Sequence, residues 1–109
     1  NTFSGKELET LFESILIESK QFNRIGGYWD SKGENEIDIV AIDDLGKRIL
    51  IAEVKRQSKK FNPNQLLLKS AHLLNKLNLK DYAVDQRCFS LDNLDETMSE
   101  FSLAGRNSL

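Results

Sequence analysis

The chain has 109 residues, enough for one domain with a single modest core and too few for two. Apolar residues make up 39% and charged residues 29%, the balance of a globular protein, and no apolar run nears the ~20 residues a membrane span needs. A formal net charge of −2 excludes a strongly basic or strongly acidic protein.

Asn1 to Leu11 is polar and helical in pattern, so this stretch is not expected to be a signal peptide. A first residue that is Asn rather than Met leads us to expect a piece of a longer protein. Ser4 and Glu7 have the spacing of a capping box. Leu8, Leu11, Phe12, Ile15 and Leu16 follow at helical spacing, so a helix is expected over about Gly5 to Ser19. Arg24 to Asp30, with Ile25, Tyr28 and Trp29, reads as a first strand. A polar turn over 31–35 follows. Glu36 to Asp43 reads as a second strand. The loop at 43–47 has hairpin character. Arg48 to Lys55 reads as a third strand, apolar enough to be covered on both faces.

A second helix begins at Asn62 as N-cap, with Pro63 at N1 and Gln65 completing a capping box. Its wide apolar face (Leu66, Leu67, Ala71, Leu73, Leu74, Leu77) runs to about Leu77. Tyr82 to Leu91 reads as a fourth strand, and residues 92–109 as a short acidic helix and a loose tail. Four acids against Arg106 give that segment a net charge of −3, which leaves +1 for the rest and weakens the objection that an acidic protein cannot approach phosphate. Cys88 is the single cysteine. It excludes an internal disulfide, fits a reducing cytoplasm and, with one histidine, excludes an ordinary Cys/His zinc site. The expected class is α/β, with the order αβββαβ. Three strands form an antiparallel meander, and the fourth joins after a helical crossover with different polarity. Residues 1–91 form the domain, and 92–109 its end.

Three charges interrupt the apolar strands: Asp38 in the second, Glu53 and Lys55 at the end of the third. Unpaired charge in such a place costs several kcal/mol, so pairing or a metal is expected. Side chains alternate along a strand, so Glu53 and Lys55 share a face with Ile49 and Ile51. Asp38 faces the same side if the two strands pair in register. Two carboxylates then offer hard oxygen donors to Mg2+ or Mn2+, with the Val54 carbonyl as a further ligand. Lys55 is placed to bind the attacking water or the charge developing on phosphate. Glu9 and Glu13 lie one turn apart on the first helix, and Glu13 is the favoured third carboxylate. Glu36 shares the strand face of Asp38 and is a supporting candidate.

The Glu36-Ile37-Asp38-Ile39-Val40-Ala41 and Glu53-Val54-Lys55 segments, in this element order, resemble the PD-(D/E)XK nuclease superfamily, with its restriction-endonuclease-like core and mixed four-stranded sheet flanked by helices. The likeness extends to Leu91. No proline precedes Asp38, a common departure in that superfamily. The Gly27-Tyr28-Trp29-Asp30 segment looks like the C-terminal nuclease-like domain of prokaryotic, archaeal-type AAA+ ATPases. No G-x-x-x-x-G-K-S/T phosphate loop occurs here, so the resemblance implies that an ATPase module lies elsewhere in the full-length protein. It implies Asp38 and Glu53 as metal ligands, Lys55 as the catalytic lysine, Glu13 as the helix carboxylate, and DNA as the phosphodiester substrate. Many superfamily enzymes act as dimers, and no feature of this chain marks a dimer surface.

Arg56, Lys59, Lys60 and Lys69 are candidate phosphate contacts, as is Gln65; solvated loop and helix faces, and for Gln65 a plain cap, are the structural alternatives. Tyr28 and Trp29 either stack on a base or form core or a partner-facing patch. His72 reads as a packing or surface residue, and Cys88 as a small buried apolar residue. For Asp38, Glu53 and Lys55 the structural alternative is a salt-bridge network at a strand end. Between the two lies an inherited site that no longer cleaves. The expected function is a metal-dependent DNA phosphodiester hydrolase. The rival is a non-catalytic DNA-binding or regulatory domain of an ATPase, and a weaker rival is a toxin or defence module.

Overall fold

The computed structural model describes residues 3–102. Helix α1 spans Gly5–Glu18. Its start is closed by a complete capping box: Ser4 Oγ accepts the Glu7 N–H at 3.1 Å, and Glu7 Oε1 accepts the Ser4 N–H at 3.0 Å. Two of the four orphan N–H groups of the first turn are thereby satisfied. Strands β1 (Arg24–Tyr28), β2 (Ile37–Asp43) and β3 (Arg48–Lys55) form an antiparallel meander. Helix α2 (Pro63–Leu77) crosses over, and β4 (Ala83–Ser90) joins parallel to β3. The sheet order is β1-β2-β3-β4. This is the mixed, helix-flanked α/β sheet that the sequence leads one to expect. Short 3-10 turns at Ser58–Lys60 and Leu91–Asn93 and helix α3 (Leu94–Glu100) complete the described chain.

Two apolar layers cover the sheet. On one face Leu8, Phe12 and Leu16 of α1 meet Ile39, Ala41, Leu50, Ala52 and Phe89. Phe12 stacks on Phe89 with ring centroids 5.0 Å apart, and Phe101 meets Phe89 edge-on at 6.3 Å. On the other face Leu66 and Leu73 of α2 cover Ile37, Val40, Ile42, Ile49 and Ile51. Each fully buried Leu, Ile or Phe among them contributes about 1.5–3 kcal/mol. The segment after β4 packs down as well: Phe101 is buried, and Arg87 pairs with Glu100. Residues 103–109, part of the expected loose tail, lie outside the described residues.

Three local expectations are corrected. Asn62 caps α2, its Oδ1 accepting the Gln65 N–H at 3.1 Å, but Gln65 is exposed and the return half of the box is not made. The buried row of α2 is Leu66, Ser70 and Leu73, while Leu67 and Leu68 are 56% and 73% exposed and Ala71 is exposed too. Ser70 tolerates burial because its hydroxyl donates to the Leu66 carbonyl at 2.7 Å. Trp29 and Asp30 fall beyond β1, in a loop that Asp30 ties together by accepting from the Glu34 N–H (2.9 Å) and Asn35 Nδ2 (2.7 Å).

The pairing of β1 with β2 is irregular at one point. Gly26 opposes Val40 but Tyr28 opposes Ile37, so Asp38 and Ile39 together face the single residue Gly27. This is a β-bulge in β2. Its effect shows in the layers: Ile39 and Ala41 lie with α1, Val40 and Ile42 with α2, and strict alternation would put Ile37 with α1. Ile37 lies with α2 instead. The backbone closes tightly here, since a Cβ on Gly27 would sit 3.3 Å from the Asp38 carbonyl oxygen.

Candidate active site

The β2–β3 ladder stops at Ile39↔Ala52, although β2 reaches back to Ile37 and β3 continues to Lys55. Past the stop, the two acidic residues supply the acceptors. Asp38 Oδ2 accepts the Val54 N–H at 2.8 Å, and Glu53 Oε2 accepts the Asp38 N–H at 3.4 Å. Each carboxylate is thus held against the other strand's backbone, and the pair is brought together at the strand ends. Glu53 is only 8% exposed. Burial first, and then the neighbouring Asp38 carboxylate, push its carboxyl above the ordinary range, while Lys69 opposes the shift.

Lys69 comes from α2 on the Glu53 side of the sheet. Its Nζ donates to Glu53 Oε1 at 3.1 Å, with both side chains largely covered. Lys55, expected as the catalytic lysine, makes no hydrogen bond or salt bridge among the described residues. It shares a face with Glu53 and Cys88, and its charge acts on the Cys88 thiol, which burial raises.

A cleft of about 250 Å³ opens beside Asp38, between the start of α1 and the ends of β1 and β2. Glu9, Glu13, Glu36 and Asp38 line it, with Lys6, Tyr28 and Trp29. Glu9, passed over in favour of Glu13, is the carboxyl that burial and then the Asp38 charge raise. Both helix carboxylates reach the cleft, as residues one turn apart do. Trp29 stands at 71% exposure on its wall. Tyr28 is half-buried, and its hydroxyl is buried without a hydrogen bond among the described residues. His72 is exposed, its ring 6.3 Å from that of Tyr28.

Asp38 and Glu53 are a hard-oxygen pair of the kind Mg2+ or Mn2+ takes. The Val54 carbonyl lies on the strand between Glu53 and Lys55. As placed, the described residues gather no three His, Cys, Asp or Glu side chains around one point. A third carboxylate would come from Glu9 or Glu13 across the cleft. Among the sequence candidates, the structure brings Asp38, Glu53 and Lys69 together. Arg56, Lys59 and Lys60 form an exposed cationic run leading away from β3, with the Arg56 guanidinium donating to the Phe3 carbonyl and Ser58 held by Asp92. Gln65 stands apart. Sequence reading missed the Glu53–Lys69 contact and Lys6. The helical position of Lys69, in step with Leu66 and Leu73, is the signal that points Lys69 at the sheet.

No helix among the described residues is long and apolar enough to cross a membrane. No curated protein matches the chain, and no solved structure does. Residues 1–66, which carry α1, β1 to β3 and the Asp38, Glu53 and Lys55 positions, match the family model described as archaeal and bacterial proteins of unknown function, DUF234.

Proposed function

Since the chain belongs to the DUF234 family, whose function is unknown, its activity has to come from its own residues, and we propose a metal-dependent nuclease-like domain of PD-(D/E)XK type acting on DNA phosphodiesters. The observation that carries this reading is the reciprocal seating of Asp38 and Glu53 at the point where the β2–β3 ladder stops. It holds a buried carboxylate, Glu53, beside a partly buried one, Asp38, which an open cleft adjoins.

Asp38 and Glu53, with the Val54 carbonyl, would hold Mg2+ or Mn2+, which supplies a bound water of lowered pKa and offsets charge on the phosphate. Glu9 or Glu13 adds an acceptor from the α1 side for a proton of that water. Lys55, projecting from the Glu53 face without a partner among the described residues, donates to a phosphate oxygen or the incoming water. Lys59 and Lys60 attract and align the phosphate backbone. By the resemblance, the domain accompanies an ATPase module in a longer cytoplasmic protein.

One observation favours a second reading, a non-catalytic domain that binds DNA or regulates the ATPase. Glu53 is already paired with Lys69, and Lys55 touches neither carboxylate. The two readings separate in one assay. Single- and double-stranded DNA are incubated with the chain in Mg2+ or Mn2+, alongside Asp38→Asn, Glu53→Gln and Lys55→Met. Divalent-dependent cleavage that falls about a hundredfold or more in each variant supports the nuclease. DNA retention in gel shifts without cleavage, unchanged in Asp38→Asn, supports the binding domain and sinks the hydrolase.

A further inference from the structure

Among the described residues, Lys69 is the cation that forms a salt bridge with the Asp38–Glu53 pair. The four oxygens of the pair are not equivalent. Asp38 Oδ2 and Glu53 Oε2 are engaged by main-chain N–H groups fixed in the sheet. Glu53 Oε1 is engaged by a side chain on a flexible stem. A divalent cation recruiting Glu53 needs an oxygen that can be released, and Oε1 is that oxygen. An ammonium 3.1 Å from Oε1 and a divalent ion on the same atom would repel each other at short range in a poorly hydrated place.

We propose that Lys69 is an internal competitor for the divalent cation at Glu53, holding Oε1 while the site is empty and giving it up on loading. This rests on the metal-site reading above. Helix α2 positions the competitor: Leu66, Ser70 and Leu73 seat the same side of the helix on the sheet, which aims Lys69 at β3. Lysine suits the role better than arginine, because its ammonium makes single, point-charge contacts and shifts partner by rotating its stem, whereas a guanidinium would clamp both carboxylate oxygens. The device sets a threshold: only cation concentrations that outcompete the ammonium fill the site.

The test is calorimetric titration of Mn2+ alone into the intact chain at neutral pH, for wild type, Lys69→Met, Lys69→Gln, Lys55→Met and the Lys69→Met/Glu53→Gln double variant, each checked for fold by circular dichroism. The Lys69 variants are expected to bind about tenfold more tightly, a change of about 1.4 kcal/mol. Lys55→Met, which removes the same charge nearby without the contact, is expected to gain less than about threefold by the same reckoning. The double variant is expected to lose the gain. Equal or weaker binding by both Lys69 variants overturns the proposal while leaving the metal site standing, as does an equal gain in Lys55→Met. Absence of Mn2+ binding in every protein removes the metal site itself, and the competitor with it.

Discussion

The side chain of Asp38 reaches the main chain of the strand beside it: Oδ2 accepts the Val54 N–H at 2.8 Å. A carboxylate here does the work of a ladder carbonyl, which ties a candidate functional residue to the stability of β3. The consequence can be read from two substitutions. Asp38→Asn keeps an oxygen that can accept from Val54, and its stability is expected to stay within about 0.5 kcal/mol of wild type. Asp38→Ala strands the N–H and is expected to cost about 1–3 kcal/mol. Urea unfolding of the two variants checks this; equal midpoints for both would mean that the bond contributes nothing.

Glu53 makes the pH dependence of stability asymmetric. Its folded carboxyl lies above the ordinary value of 4.5, chiefly through burial. Below 4.5 the group is protonated in both folded and unfolded chains and has no effect. As the pH rises from 4.5 towards the raised folded value, the unfolded chain releases its proton first, so the folded state loses stability; above that value the loss is constant. Glu53→Gln lacks this titration. The stability difference between wild type and Glu53→Gln, measured by urea unfolding across this window, is expected to move against wild type with rising pH and then level off. A flat difference would contradict the raised carboxyl.

The element bounds were legible because their signals are local. Ser4 with Glu7, Asn62 with Pro63, and the apolar runs of β2 and β3 each act over a few residues. The site geometry was legible only in part. Asp38 and Glu53 were identifiable because charge inside apolar strands demands a partner. Whether they meet depends on the bulge opposite Gly27, and one glycine in a strand reads equally well as punctuation. The choice between Glu9 and Glu13 depends on how α1 crosses the sheet, and both lie on its flank. Lys69 was visible as a cation near the site but not as the partner of Glu53. Its spacing from Leu66 and Leu73 points it at the sheet, but which residue of β3 it meets is set by the angle of α2 over the strand. The exposure of Leu67 and Leu68 has the same origin: a wide apolar face does not say which part of it the sheet will use.

Gly27 permits the bulge that sets Asp38. A Cβ there would approach the Asp38 carbonyl oxygen to 3.3 Å and the Ile37 carbonyl oxygen to 3.6 Å, and these are backbone atoms that give way only if β2 shifts. Gly27→Ala is expected to cost about 1 kcal/mol and to weaken Mn2+ binding more than any other change outside the carboxylates, because it displaces Asp38. Calorimetry beside thermal unfolding checks both. Unchanged affinity in a destabilised Gly27→Ala protein would show that the bulge serves packing alone.

Asp44 pins the far end of the sheet. It accepts from Asn23 Nδ2 at 2.6 Å, from the Arg24 guanidinium at 2.9 and 3.0 Å and from the Tyr82 hydroxyl at 2.6 Å. One side chain thereby joins the segment before β1, the β2–β3 loop and the segment before β4. These donors, Arg24 first, hold its carboxyl well below the ordinary 3.8. Its contribution is therefore complete above 3.8 and is lost as pH falls through the folded value. Asp44→Ala is expected to lower the melting temperature by several degrees at neutral pH. The gap should narrow in strong acid, as thermal melts at both pH values would show.

Trp29 is the only tryptophan, stands 71% exposed and borders the Asp38 cleft. An exposed indole on the wall of a cleft that Lys6 also lines has the geometry to stack on a nucleobase, and such stacking is worth about 1–3 kcal/mol. Its exposure also means that Trp29→Ala should leave stability within about 0.5 kcal/mol of wild type, so binding and folding effects separate cleanly. In an Asp38→Asn background, where the strand is not cut, titration with a single-stranded oligonucleotide is expected to quench the tryptophan fluorescence. Trp29→Ala, followed by anisotropy of a labelled oligonucleotide, should weaken binding about tenfold or more, and Trp29→Phe should restore part of it. Because the indole is the sole fluorophore of its kind, quenching without any loss of affinity in Trp29→Ala would place the nucleic acid near the cleft but off the ring. The phosphate contacts of Lys59 and Lys60 would then have to account for binding, and its affinity should fall steeply with salt.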